Sequence, residues 1–199
     1  LVMGTCEALQ KMDLQGVKTQ EVSEEVLAYL SDTVTPQGVI AVLPIEKKAI
    51  PTPTKPCILL DKVSDPGNLG TILRTCNAVG VKDVYLIDCC DPYSPKCVRS
   101  SMSGIYFVNL YEGSYESVLN ALSSVPILVA DMKGENVFNF KPPKVYCLAV
   151  GNEANGLSEK IKSVATTKLK IPMQPTSESL NVGVALSVCI YQLIEGNKL

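Results

Sequence analysis

The sequence predicts an α/β fold, and three observations carry that prediction. From Cys57 onward, short β-rich runs alternate with helical periods, the rhythm of a sheet whose strands are joined by helices. Two of the runs, Ile58-Leu59-Leu60 and Val145 to Val150, are apolar at consecutive positions, as strands buried inside a sheet are. Polar residues and glycines stand directly against these runs, at the junctions where strand gives way to helix.

In chain order the predicted strands are Cys57 to Val63, Val84 to Asp88, Ile105 to Leu110, Ile127 to Asp131, Val145 to Val150 and Lys168 to Ile171. The predicted helices are Asn68 to Val79, Tyr115 to Ser124, Ser158 to Val164 and Leu180 to Glu195. Leu69, Ile72, Leu73, Cys76 and Val79 form an apolar stripe on the first of these, and Gly80 supplies its stop. Ahead of Cys57 the three prolines of Ile50-Pro51-Thr52-Pro53-Thr54-Lys55-Pro56 favour an extended linker. The expected division is therefore a small unit over 1–50, a linker over 51–56 and a main domain over 57–199. Within the small unit, one amphipathic helix at Ser23 to Leu30 and an apolar strand at Gly38 to Leu43 are expected, too few elements for an independent core.

Composition narrows the function. With 46% hydrophobic and 19% charged residues the chain is globular. A net charge of −2 lacks the overall basic signature of many nucleic-acid binders, so any such contact must be local, come from dimer geometry, or involve a part of the protein outside this sequence. The absence of histidine removes Ser-His and Cys-His triads and histidine-ligated metals. Among eight cysteines, Cys57, Cys76, Cys147 and Cys189 sit in apolar runs, where a reduced thiol behaves as a small hydrophobe, as expected of a cytoplasmic protein. Cys89, Cys90 and Cys97 lack C-x-x-C spacing, so no metal site is expected. The longest apolar stretch, Leu180 to Ile194, is too short to span a bilayer comfortably, and no membrane segment is expected.

Three segments carry candidate chemistry. In Asp65-Pro66-Gly67-Asn68-Leu69-Gly70-Thr71-Ile72-Leu73-Arg74, glycines and amides at a helix start suit an anion, though the spacing is neither G-x-G-x-x-G nor a P-loop. Arg74 lies off the apolar stripe and projects from the core, and by spacing alone it reads as a solvated arginine. Asn68 reads as a helix cap. In Val150-Gly151-Asn152-Glu153-Ala154-Asn155-Gly156-Leu157-Ser158, Gly151 ends the buried strand and permits close approach to the backbone, while Glu153 reads as a loop carboxylate pairing with a lysine. In the third segment, Ile171-Pro172-Met173 ends a strand, Ser179 suits an N-cap, and Asn181 on the first helical turn requires partners if buried.

Together these segments resemble the three signature motifs of the SpoU (TrmH) family, in the SPOUT class of RNA methyltransferases. The resemblance covers Cys57 to Ile194. It implies an α/β knot: a mostly parallel sheet with helices on both faces and a deep trefoil near the C-terminus. It also implies S-adenosylmethionine as cofactor and methyl transfer to a ribose 2′-hydroxyl of RNA, ribosomal RNA first and transfer RNA second. It places Arg74, Asn68, Glu153, Ser179 and Asn181 at the catalytic site, and Gly151, Ile171, Met173 and Leu180 against the cofactor. Arg74 is then the general base; since arginine is normally a pure hydrogen-bond donor, binding phosphate and stabilising alkoxide charge is the other role open to it. The last helix is apolar nearly all round and must be covered on most sides, for which core burial alone could suffice; the resemblance implies a homodimer formed through it and the first motif's helix. Residues 1–50 resemble the end of a small α/β RNA substrate-binding domain, Thr35-Pro36-Gln37-Gly38-Val39 matching best, whose beginning is expected to be missing here. Arg99 to Gly104 resembles a family segment preceding a strand, for which RNA contact is one reading and a polar turn the equal or better one. Two rival readings are a non-catalytic RNA-binding protein of the same fold and a nucleotide-dependent oxidoreductase. Retention of the five catalytic-site residues weighs against the first, and the missing glycine fingerprint against the second.

Overall fold

The computed structural model describes residues 1–195 of the 199, so the last four residues of the expected main domain lie outside it. The chain divides into two compact units, 1–47 and 48–199. In the first, β1 (Val2–Gly4) pairs in parallel with β2 (Thr19–Glu21) and antiparallel with β3 (Val39–Ala41). Its two helices, α1 (Cys6–Gln10) and α2 (Glu24–Leu30), start at Thr5 and Ser23, whose hydroxyls accept from the amides of Ala8 and Val26. Strands β1 and β2 and helix α1 escape the sequence reading because three to five residues are too few to show a period.

The second unit holds a six-stranded, wholly parallel sheet in the order β6-β5-β4-β8-β7-β9. Its elements are β4 (Cys57–Asp61), α3 (Pro66–Ala78), β5 (Asp83–Ile87), α4 (Pro95–Ser100), β6 (Asn109–Glu112), α5 (Tyr115–Ala121), β7 (Ile127–Asn136), β8 (Cys147–Gly151), α6 (Glu159–Ser163), β9 (Thr167–Lys170) and α7 (Val182–Glu195). Alternate residues of each strand face opposite layers. Ile58 and Leu60 of β4 join one core with Leu69, Ile72 and Leu73 of α3 and Leu186 and Ile190 of α7. Cys57 and Leu59 join the other, with Val118 and Leu122 beside α5 and with Ile161 of α6. Burial on both faces explains why these strands read as continuous apolar runs. Successive strands run outward from β4 to one edge, and the chain then returns to fill the other half, so the reversal of strand order falls between β4 and β8. Ligands of open parallel sheets bind beyond the carboxyl ends of the strands at such a reversal.

Helix α3 starts where Asp65 Oδ1 accepts from the Asn68 amide at 2.8 Å, with Pro66 in the first turn. It ends in a Schellman arrangement: Val81 N–H bonds to the Cys76 carbonyl, Gly80 N–H bonds to the Asn77 carbonyl, and Gly80 has φ 76°. A β-carbon at Gly70 would overlap Ser100 Oγ and lie 2.5 Å from the Cys97 carbonyl, so this glycine lets α4 close on α3.

The structure corrects the expected strand at Ile105 to Leu110. Residues Gly104–Phe107 form a 3-10 turn, and β6 begins only at Asn109, opposite Asp83. The apolar pattern there serves α3 instead: Ile105 and Val108 enter its core, and a β-carbon on Gly104 would lie 2.9 Å from the Arg74 Cα. Strand β7 is longer than expected and carries an excursion, since both Ala130 and Glu135 pair with Leu169. Helix α7 starts at Val182, not at Leu180. Among the described residues no helix is long and apolar enough to cross a membrane. Gly70→Ala is expected to cost about 1–3 kcal/mol through overpacking of α3 on α4, seen as a lower denaturant midpoint with an unchanged m-value.

Candidate active site

Three loops converge at the reversal of strand order. Glu153, two residues past β8, accepts from Asn68 Nδ2 at 2.9 Å, from the Ser64 hydroxyl at 3.0 Å, and from the amides of Asp65 and Ser64 at 3.3 and 3.4 Å. Asn68 Oδ1 in turn accepts from Asn181 Nδ2 at 2.8 Å. Asn181 Oδ1 is taken by the amides of Gly183 and Val184 at 2.9 and 3.3 Å. One line of hydrogen bonds thus runs from the loop after β8, through the first turn of α3, to the start of α7. Each asparagine donates and accepts, so both amide orientations follow from the network. Asn181 is the N-cap of α7, which corrects the expectation that Ser179 caps it and that Asn181 lies inside the helix. Asn68 does not cap α3; that role belongs to Asp65.

Beside this line lies a cleft of about 550 Å³ at the carboxyl edge of β7, β8 and β9. Gly151, Ile171, Met173 and Leu180 line it, as do Glu153, Ser179 and Asn181. Asn68 and Arg74 are not in its lining: Asn68 reaches it through Glu153 and Asn181, and Arg74 lies two turns further along α3 with an exposed side chain. The reason for Gly151 differs from the expected one. A β-carbon there would overlap the backbone of Gly156, because the loop 152–156 folds back on the strand end and closes with Asn152 N–H to Gly156 O at 3.0 Å and the reverse bond at 2.8 Å. The glycine serves the loop before it serves any ligand.

Asp131 and Met132 also line the cleft and were missed by the sequence reading. They stand in the β7 excursion, whose only sequence mark is Gly134, where a β-carbon would overlap the backbone of Lys168.

The charged residues of the cleft lining are Asp131, Glu153 and Lys170. Burial alone would raise the Glu153 pKa, but the hydrogen bonds from Asn68 and from the amides of Ser64 and Asp65 outweigh it and hold the carboxyl below its ordinary value. The Asp131 carboxyl is likewise lowered, first by the Lys133 amide at 2.8 Å and further by the Lys168 ammonium at 3.5 Å. Asp65 is lowered by its bond to Lys96 Nζ at 2.7 Å and by the Asn68 amide. Glu153 is therefore an acceptor that stays ionised at neutral pH, which suits positioning and not proton uptake. A second hollow, of about 620 Å³, lies within the first unit between α1, α2 and the Pro36–Val39 segment.

The fold and cleft define an α/β protein built to hold a nucleoside-sized ligand at the carboxyl edge of a parallel sheet. The SpoU rRNA Methylase family model matches residues 55–191, and the model for RNA 2′-O ribose methyltransferase substrate binding matches residues 5–48. The chain belongs to the SpoU rRNA methylase family. It is 35% identical over 190 residues to an uncharacterized tRNA/rRNA methyltransferase of Synechocystis sp., covering 89% of this chain and 68% of that protein. It is 30% identical over 182 residues to the 23S rRNA (guanosine(2553)-2′-O)-methyltransferase of Bacillus subtilis, covering 89% and 73%. The crystal structure of an AdoMet-bound rRNA methyltransferase from Sinorhizobium meliloti superposes with a TM-score of 0.85 at 25% identity, covering 96% of this chain and 77% of that one.

The lowered Glu153 pKa has a defined sign for stability. A carboxyl whose folded pKa is below its unfolded value, about 4.3 for glutamate, stabilises the fold above that value and loses the contribution as pH falls through the folded one. Glu153→Gln is expected to lower the denaturant midpoint at neutral pH, with the difference from wild type shrinking as pH falls below the ordinary glutamate value and through the lower folded one.

Proposed function

We propose that this protein is an S-adenosylmethionine-dependent methyltransferase that methylates a ribose 2′-hydroxyl of RNA, with ribosomal RNA as the first substrate class. The observation that carries the reading is the line Glu153–Asn68–Asn181, which ties all three family motifs together on the rim of a ligand-sized cleft. The B. subtilis relative, named as a 23S rRNA 2′-O-methyltransferase, supports the substrate class, and the Synechocystis relative's name favours transfer RNA as the second.

The cleft fits the cofactor by the chemistry of its lining. Ile171, Leu180 and Met173 offer apolar contact to a purine, backbone groups near Gly151 and Ile171 offer hydrogen bonds to its edge, and Glu153 and Asp131 suit a sulfonium cation. When bound, S-adenosylmethionine supplies the electrophilic methyl group. The protein's task is then to place the 2′-oxygen in line and to manage its proton. Glu153, already ionised and saturated with donors, holds Asn68 and the loop after β8 in place. Ser179 and Asn181 face the cleft and present polar groups toward the transfer. Arg74 is the residue for RNA, binding phosphate and stabilising charge as the alkoxide forms, or taking the proton with the help of that phosphate.

The reading includes a homodimer. What supports it is the outer face of α7, where Val184 and Tyr191 remain exposed although the helix already packs on α3 through Thr75–Ser187 at 3.0 Å. The first unit is read as a substrate-binding domain, supported by the family model over 5–48. The threaded C-terminal path is supported by α7, which follows the edge strand β9 yet packs back on α3 and β8 at the centre of the sheet. Eight cysteines, none paired with another, support a cytoplasmic location.

Mapping of 2′-O-methyl sites in ribosomal RNA from cells with and without the protein is expected to show one site lost; an unchanged map with a changed transfer RNA would move the substrate class. Calorimetry is expected to show S-adenosylmethionine binding, and none at millimolar ligand would sink the cofactor assignment. Arg74→Ala is expected to lower turnover by roughly 10²-fold with cofactor affinity kept, because its side chain stands outside the cleft.

A further inference from the structure

Asp61 is a fully buried acidic residue, and none of the three motif segments contains it. It ends β4 on the face where Cys57 and Leu59 enter the apolar core, so packing alone asks for an aliphatic residue there. Burying a carboxyl group is unfavourable unless its oxygens find donors. Both do: Oδ1 accepts from the Tyr115 hydroxyl at 2.6 Å, and Oδ2 accepts from the Ser158 amide at 2.6 Å. Tyr115 is held in turn, with Lys160 Nζ 4.7 Å and Lys62 Nζ 5.9 Å from its ring centre.

The Ser158 amide closes the loop that lines the cleft. Residues from Gly151 to Leu157 all contribute to the lining, and Leu157 is also buried in the core that holds Cys57 and Leu59. The beginning of this loop is tied to the end of β4 by Asn152 Nδ2, which donates to the Lys62 carbonyl at 2.9 Å, and by Glu153. Asp61 ties down its other end, one residue beyond Leu157. The loop is thereby held at both ends to a single strand terminus, and the Asp61 bond spans from there to α5, on the far face of the sheet.

We propose that Asp61 is a positioning residue for the cofactor cleft: through the Ser158 amide it sets where the 152–157 loop stands, and so sets affinity for S-adenosylmethionine without touching it. The inference rests on the methyltransferase reading of the cleft. Asp61→Asn preserves both contacts, since an amide oxygen accepts from Ser158 and the amide nitrogen donates to the Tyr115 oxygen. Asp61→Ala removes both.

The test uses the full chain, with S-adenosylmethionine calorimetry, steady-state methyl transfer, and hydrogen exchange of the 152–158 amides without ligand. Asp61→Ala is expected to weaken cofactor binding by at least about tenfold, to speed exchange in 152–158, and to keep turnover at saturating cofactor within about threefold. Asp61→Asn is expected to stay within about threefold of wild type in affinity. Should Asp61→Ala fail to fold, Ser158→Pro deletes the N–H at a residue whose φ of −65° suits proline and whose hydroxyl does not cap α6. It is expected to weaken the cofactor in the same way. Wild-type affinity in a folded Asp61→Ala or Ser158→Pro protein overturns the proposal, as does loosened exchange with unchanged affinity. A wild-type chain that binds no cofactor defeats the methyltransferase reading instead, and exchange then decides alone whether Asp61 holds the loop.

Discussion

The Asn68 carboxamide is the interaction on which the site depends. It stands where the strand order reverses, donating to Glu153 on the β8 side and accepting from Asn181 on the α7 side. Only an amide does both at this distance from the backbone. Aspartate would place two carboxylates together, and a hydroxyl is too short to span both partners. Because Asn181 spends its own oxygen on the start of α7, the position of that helix is linked to the first turn of α3 and, through Glu153, to the loop after β8. Three segments far apart in sequence become one rigid rim.

That rigidity has an electrostatic consequence. Glu153 gathers donors from Asn68, Ser64 and Asp65, which hold its pKa below the ordinary carboxyl value despite burial. A group so stabilised as an anion is a weak proton acceptor. Glu153 is therefore suited to organising the site, and in the proposed reaction the proton of the 2′-hydroxyl falls to Arg74, to the RNA's own phosphate, or to water. The same cleft also holds the ionised Asp131, paired with Lys168, and Lys170, so its charges are mixed.

Much of this arrangement was legible in the sequence, though the reasons were only partly so. Helix α3 could be read because its stripe and its Gly80 stop agree, although it begins at Pro66, two residues before the expected Asn68. Gly151 lies in the cleft lining, but its need comes from the folded-back loop, which no local pattern reveals. The strand expected at Ile105 failed because its apolar residues are claimed by α3 across the layer, a tertiary demand that outranks β-propensity. Asp131 and Met132 escaped because they belong to an excursion inside a strand, where alternation stops carrying information. Asp61 falls inside the expected strand Cys57 to Val63 with nothing in the pattern to single it out, and only its two donors do so.

Helix α3 also fixes the distance between the two halves of the proposed chemistry. Glycines bring its neighbours close on both flanks: Gly70 beneath Ser100, Gly104 against the Arg74 backbone, and Gly183 with its β-carbon position 3.3 Å from the Thr71 methyl. With contacts this near there is little freedom for the helix to slide or roll. Asn68 and Arg74 are six residues apart, so about 9 Å of helix axis separates their Cα atoms. Because α3 is held on both flanks, the spacing between the Asn68 rim and the root of the Arg74 side chain is fixed, and any ligand that meets both must conform to it.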